Sequence, residues 1–209
     1  MIGMRGQMQR FGPTRRGGPV FRWLGEPLAI DLANTVMVVR EGQTVDLLAT
    51  PTDLHRWLQA EQARLGDCAF GVEHPDEIRA MRDAVRALLA ASADGTTSPS
   101  WALEYVNAAS AAAPISPQLE AGSHGELRTQ ERVAETDPFV QMLGTLARSA
   151  IMLLTMPGHE QLRVCQAPSC GMFFLGARRW CCAACGNRAR AARHYRRTTA
   201  RTTVDATTN

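Results

Sequence analysis

Five of the six cysteines in this 209-residue chain fall between Cys165 and Cys185, within the stretch CQAPSCGMFFLGARRWCCAACGNR. That crowding limits the fold more than any other feature, because thiols so close in sequence end as disulfides, metal ligands or buried side chains. The first 30 residues are rich in Arg and Gly with no uninterrupted apolar run, and no later segment approaches the roughly 18 apolar residues that span a bilayer. The chain therefore reads as soluble and cytoplasmic, with no membrane partner. In a reducing compartment clustered thiols persist as metal ligands, and Zn²⁺ is the metal expected.

Structural zinc takes four ligands in a tetrahedron, and two closely spaced cysteine pairs supply them. Cys165 and Cys170 form one pair, with Pro168 and Ser169 in the turn between. Cys185 completes the second with either Cys181 or Cys182; spacing alone slightly favours Cys182, since a two-residue gap is the commoner zinc knuckle. Four thiolates leave no open position for a catalytic water. No phosphate-binding Gly loop, Ser-His-Asp set or paired catalytic carboxylates accompanies them, so the chain is not expected to be an enzyme. A segment of about 35 residues buries too little apolar surface to hold itself together, whereas zinc adds roughly 10–16 kcal/mol of apparent free energy to such units.

Charge divides the chain as sharply as the cysteines do. The net +3 conceals a body, residues 21–160, with ten Arg against nineteen acids, and a segment, residues 161–201, with nine Arg and no acid. Such polarity fits an acidic body with a basic end that meets phosphate. After Cys185 the sequence NRARAARHYRR is a good helix former. At about 100° per residue, Arg190, Arg193 and Arg197 share one face, Arg196 flanks it, and Ala191, Ala192 and Tyr195 lie opposite, ready to pack on the knuckle. With Arg188, these arginines are the candidate nucleic-acid contacts, DNA ahead of RNA. The bland alternative docks them on the acidic body.

Upstream, residues 1–19 read as a flexible basic arm and residues 20–158 as a mainly α domain. Leu28, Leu32 and Val36 recur at helical spacing, with a strand through Val36, Val38 and Val39 as the weaker reading. Thr50-Pro51-Thr52-Asp53 opens a second helix on Leu54, Trp57 and Leu58. A third follows His74-Pro75-Asp76 and ends at Asp94-Gly95, with Ile78, Met81, Val85, Leu88 and Leu89 inward and Arg79, Arg82, Asp83 and Arg86 outward. A fourth runs from Ser98-Pro99 to about Ala112. Residues 115–134 alternate around Gly122-Ser123-His124-Gly125 and predict a small β-hairpin. A fifth, apolar helix spans Asp137-Pro138 to about Thr155. Residues 159–198 form the four-cysteine, zinc-ribbon-like knuckle with its basic helix, and the Thr-rich residues 199–209 read as disordered.

Asp31, Asn34 and Thr35 interrupt an apolar segment, and once buried they need partners. Arg148, embedded in the apolar fifth helix, is the natural partner for Asp31. These four residues define either a polar network that fixes helix packing, the favoured reading, or a pocket for a small-molecule effector. No oligomeric state follows from the sequence.

Cys165, Cys170, Phe173-Phe174-Leu175, Arg179-Trp180-Cys181 and Cys185-Gly186-Asn187-Arg188, followed by an Arg-rich helix with His194-Tyr195, resemble the CGNR zinc finger proteins. Asp31 with Leu32-Ala33-Asn34-Thr35-Val36, and Asp46-Leu47-Leu48, resemble the ABATE domain that precedes this finger. The resemblance runs loosely from residue 20 to 197. It implies Cys181 as the third zinc ligand, with Cys182 as its alternate, and a role in stress-induced regulation of transcription.

Overall fold

The computed structural model describes residues 25–38, 43–66 and 73–207, with side chains described as far as Arg197. The basic arm over residues 1–19, the apolar Trp23 and Leu24, and Cys68 lie outside the described residues. Among the described residues, six α-helices and three two-stranded antiparallel hairpins follow in the order α1 (Leu28–Ala33), β1 (Val36–Val38), β2 (Thr44–Asp46), α2 (Pro51–Leu65), α3 (Pro75–Asp94), α4 (Ser100–Ala112), β3 (Ile115–Ala121), β4 (Leu127–Val133), α5 (Pro138–Thr155), β5 (Leu162–Val164), β6 (Phe173–Leu175) and α6 (Ala183–Thr207). The mainly α class with a small hairpin and a four-cysteine C-terminal unit matches the expectation.

Helix ends follow local chemistry. Thr50 caps α2, its hydroxyl accepting the Asp53 amide at 3.1 Å, and Asp137 caps α5 by accepting the Phe139 amide at 2.8 Å. Each cap satisfies an amide that has no partner inside its helix. The α1 helix stops at Ala33 with Asn34 as its C-cap. Val36 to Val38 then run as a strand, so the helical spacing that continues to Val36 is not followed by the backbone.

The core lies where α1 is enclosed by α3 and α5, with α4 packed on both of those. All six residues of α1 are buried, and Leu54, Trp57, Met81, Leu89, Leu146 and Leu153 join Ile30 and Leu32 in the core around it. The α5 helix, with its 18 residues, is long and apolar enough to cross a membrane by length and composition alone, but Gln141, Thr145, Arg148 and Ser149 interrupt its apolar run. Here its inner face, Met142, Gly144, Leu146, Ala147, Ala150 and Leu153, is buried in the bundle.

Two arginines expected to face solvent on α3 do not. Arg82 is 4% exposed and holds Asp46 through its two terminal nitrogens at 2.5 and 3.0 Å. Arg86 donates to the backbone carbonyl of Ala33. Helical periodicity read these positions as a solvent face, but the β1–β2 hairpin brings Asp46 to Arg82 and the end of α1 brings the Ala33 carbonyl to Arg86. Asp46 also accepts the Leu48 amide at 2.8 Å, and these contacts hold its carboxyl below the usual carboxylate range despite partial burial.

Candidate metal centre and its basic helix

The β5–β6 hairpin brings the first two cysteines together. Cys165 follows β5 directly, its amide donates to the Met172 carbonyl at 2.8 Å, and its carbonyl accepts the Gly171 amide at 3.3 Å. This closes a tight loop that places Cys170 beside it. Gly171 has φ +68°, and a Cβ there would stand 2.9 Å from Val38 Cγ2. Only glycine lets the loop turn this way while lying against β1, where the Val38 amide donates to the Cys170 carbonyl at 3.3 Å.

Cys181 enters just before α6, and Cys185 sits in that helix's first turn. The sulfurs of Cys165, Cys170, Cys181 and Cys185 all lie within 4.8 Å of one another, and all four residues are buried. Cys170 to Cys181 is 3.6 Å, Cys181 to Cys185 3.4 Å, and Cys185 to Cys170 3.7 Å. A Zn–S bond of about 2.3 Å gives a tetrahedral edge of roughly 3.8 Å, so the spacing suits a zinc tetrahedron. Cys182 is half-buried at the rim, its sulfur 4.0 Å from that of Cys181 and outside the four-sulfur group.

As thiols, these groups cannot share their space comfortably. The hydrogen bond from Cys181 pulls the Cys170 thiol down to about 5, while the same bond and burial push Cys181 up. Burial, together with negative charge on Cys170, pushes Cys185 up to about 12. One thiolate thus raises the cost of the next, and a divalent cation at the centre removes that repulsion. The Arg188 Nη2 donates to the Cys185 sulfur at 3.1 Å, and its Nε is buried without a partner. Both features suit a cluster that carries thiolate charge.

Around the sulfurs pack Ala167, Met172 and Phe174, with Trp180 and Cys182 partly buried at the edge. A Cβ on Gly186 would lie 3.1 Å from the Trp180 ring, so the motif glycine lets the indole close over the start of α6. The helix face toward the centre is Cys185, Gly186, Arg188, Ala189 and Ala192. Ala191 is exposed and Tyr195 is 72% exposed, which corrects the expectation that they pack on the knuckle. Because α6 begins inside the motif at Ala183, Cys185 and its i+3, i+4 neighbours define the inner face. Arg190, Arg193, Arg196 and Arg197 are exposed. The helix continues to Thr207, through most of the 199–209 segment expected to be disordered; once an anchored first turn exists, adding residues is easy even for a Thr-rich sequence.

The knuckle is bonded to the body through the polar residues of the first helix region. The Asn34 side chain donates from Nδ2 to the Phe173 carbonyl at 2.9 Å and accepts the Phe173 amide on Oδ1 at 2.8 Å, both buried. Glu26 accepts the Leu175 amide at 3.0 Å and pairs with Arg178 at 2.5 Å. Leu162 and Phe173 belong to the body's own core. Thr35 donates to the Leu32 carbonyl at 2.7 Å. Asp31 pairs with Arg64 at 2.6 Å, not with Arg148, and Arg64 also donates from Nε to Glu61 at 2.6 Å and from Nη1 to the Glu26 carbonyl at 2.8 Å. Burial drives the Asp31 carboxyl up to about 7 despite Arg64, whose charge is shared with Glu61.

Arg148 instead donates to the Ala113 carbonyl at 2.6 Å and to Thr145 at 3.2 Å. It lines a cavity of about 590 Å³ with Arg64, Glu131, Ser149, Leu28 and Met152. Asp31, Asn34 and Thr35 do not line that cavity, so the four residues grouped from the sequence are not brought to one place. Glu26, Arg64 and the sulfur contact of Arg188 escape sequence reading, since each depends on a partner set by tertiary packing.

A four-thiol centre clamped to a helical body, with a basic helix leaving it, defines a zinc finger appended to a larger domain. The chain belongs to the ABATE family, described as "Putative stress-induced transcription regulator", whose model matches residues 26–157. The CGNR zinc finger model matches residues 161–198, so the four buried cysteines that can hold a zinc ion lie inside that finger. Compared with the curated proteins, the chain has no match.

Proposed function

We propose that this chain is a cytoplasmic, non-enzymatic regulator that binds nucleic acid, double-stranded DNA ahead of RNA, through α6, with Zn²⁺ held by Cys165, Cys170, Cys181 and Cys185. The observation that carries this reading is the exposed arginine row on a helix whose first turn is fixed to the metal centre. Among the described residues no carboxylate lies within 4 Å of the Arg190, Arg193, Arg196 or Arg197 guanidinium groups, which favours an external anion over docking on the acidic body. Arg is suited to phosphate through its planar set of donors. A small-molecule effector would enter the Arg148 cavity, with Asp31, Asn34 and Thr35 acting as the packing network that links the body to the finger.

Binding of fluorescent duplex DNA and of single-stranded RNA, followed by anisotropy across a salt series, tests the assignment. DNA affinity falls steeply with salt, and the R190A/R193A/R197A triple variant flattens the log–log slope by about 3, near 0.9 per lost phosphate contact. No binding to either nucleic acid at low salt overturns the reading. A second reading, a zinc-stabilised protein-interaction module, draws on the β3–β4 hairpin, where Leu119 and Leu127 are 76% and 69% exposed; it predicts that L119S/L127S changes partner binding while the salt-dependent DNA affinity is absent.

A further inference from the structure

We propose that Arg188 is the charge partner of the metal-bound thiolates, a positioning residue for the zinc centre and not a phosphate contact. The inference rests on the zinc reading of the four cysteines. At about 100° per residue, Arg188 projects away from Arg190, Arg193 and Arg197. Those three side chains are exposed, whereas Arg188 is half-buried beside buried Ala189. Its Nη2 donates to the Cys185 sulfur at 3.1 Å, and its buried Nε has no other partner. Among the described residues it forms no ion pair with a carboxylate.

The chemistry of the donor set supplies the reason. A divalent ion held by four thiolates leaves two net negative charges in a buried setting, and such charge needs compensation. Part of it comes from the backbone, since the Cys181 amide donates to the Cys165 sulfur at 3.4 Å. Arg188 adds the only full positive charge that touches a described sulfur. The remaining residues of the motif have local tasks: Gly186 admits Trp180, and the Asn187 side chain accepts a hydrogen bond from Arg190. Cys185-Gly186-Asn187-Arg188 therefore builds the metal centre and holds the first outward arginine in place.

The test uses the full chain with R188Q and R188K. Zinc stoichiometry of the unaltered protein is measured first, since absence of bound zinc there removes the metal reading itself. Chelator competition then reads zinc affinity, and the sulfur-to-metal charge-transfer band of the Co²⁺-substituted protein reads charge at the sulfur. R188Q weakens zinc binding about 10- to 100-fold, the range usual for loss of a group that supports a metal ligand, and shifts the band to longer wavelength because a hydrogen bond that stabilised the thiolate electrons is gone. R188K restores most of the affinity. An unchanged affinity and band in R188Q overturns the proposal, and a DNA salt slope reduced by about 1 in the same variant would make Arg188 a phosphate contact. Lost affinity with an unmoved band also overturns it, leaving only a packing role.

Discussion

The helical body and the knuckle solve the same folding problem with different means. Around α1 the body gathers a continuous apolar core from five helices, and buried charges such as Arg82 with Asp46, and Asp31 and Glu61 with Arg64, are paired beside it. The separate cluster of the knuckle has seven buried residues, four of them cysteines. Remove the sulfurs from that cluster and only Ala167, Met172 and Phe174 remain. Apolar area holds the first region, and ligand chemistry holds the second. The two are not separate in space, because β5 and β6 give Leu162 and Phe173 to the body's core.

Metal removal gives the largest expected effect and the most direct attack on this contrast. On treatment with a strong chelator, or in C165S/C185S, amides of residues 165–190 lose protection from hydrogen exchange within the dead time, while α2, α3 and α4 stay protected. The thermal midpoint of the body falls as well, since Phe173 loses the fold that seats it. Native mass spectrometry should find one zinc per chain before treatment and none after. A body that unfolds completely with the metal would break the comparison and make the chain a single cooperative unit.

Asn34 tests the seam itself. Its amide replaces a neighbouring strand for Phe173, satisfying both backbone groups of that buried residue. In Asn34→Ala those two groups lose their partners, at a cost of about 2–4 kcal/mol, read by chemical denaturation of the zinc-loaded protein. Asn34→Asp retains the acceptor for the Phe173 amide but sets an oxygen against the Phe173 carbonyl, so it does not rescue the fold. A loss below about 0.5 kcal/mol in Asn34→Ala would mean that the metal alone fixes the knuckle in place.

Legibility in the sequence followed the range of the interaction. The sulfur cluster was readable because its donors are close along the chain and their chemistry is restrictive; choosing between Cys181 and Cys182 was harder, since one residue's shift depends on where α6 starts. Helix ends at Thr50 and Asp137 and the turn at residues 122–125 were readable from local hydrogen-bond chemistry. What failed was rotation and pairing. Arg148 and Arg64 both lie on helices near α1, and nothing along the chain says which of them faces Asp31. Arg82 looked like part of a solvent face until Asp46, carried by a short hairpin, closed over it. Asn34 pairs with a residue 139 positions away, a distance at which a single sequence carries no pairing signal.

The smallest expected effect separates the body's buried charges from the zinc centre by pH. Burial lifts the Asp31 carboxyl from an ordinary 3.8 to about 7, with the Arg64 hydrogen bond pulling in the opposite direction. The folded chain therefore holds that proton more tightly than the unfolded chain does. This contribution to stability is fully present below about pH 4 and is lost as pH rises through 7. Between pH 6 and 8 zinc loading favours thiolate in the opposite sense, because ligand deprotonation assists metal binding as pH rises. Asp31→Asn removes the body's term and leaves the other. Denaturation at a fixed free-zinc level should thus show the stability of Asp31→Asn, relative to the unaltered protein, improving by about 1 kcal/mol from pH 6 to 8. A difference that stays constant over that range would show that Arg64 keeps Asp31 ionised, and that the body's charged pair is held by the same kind of charge compensation as the knuckle.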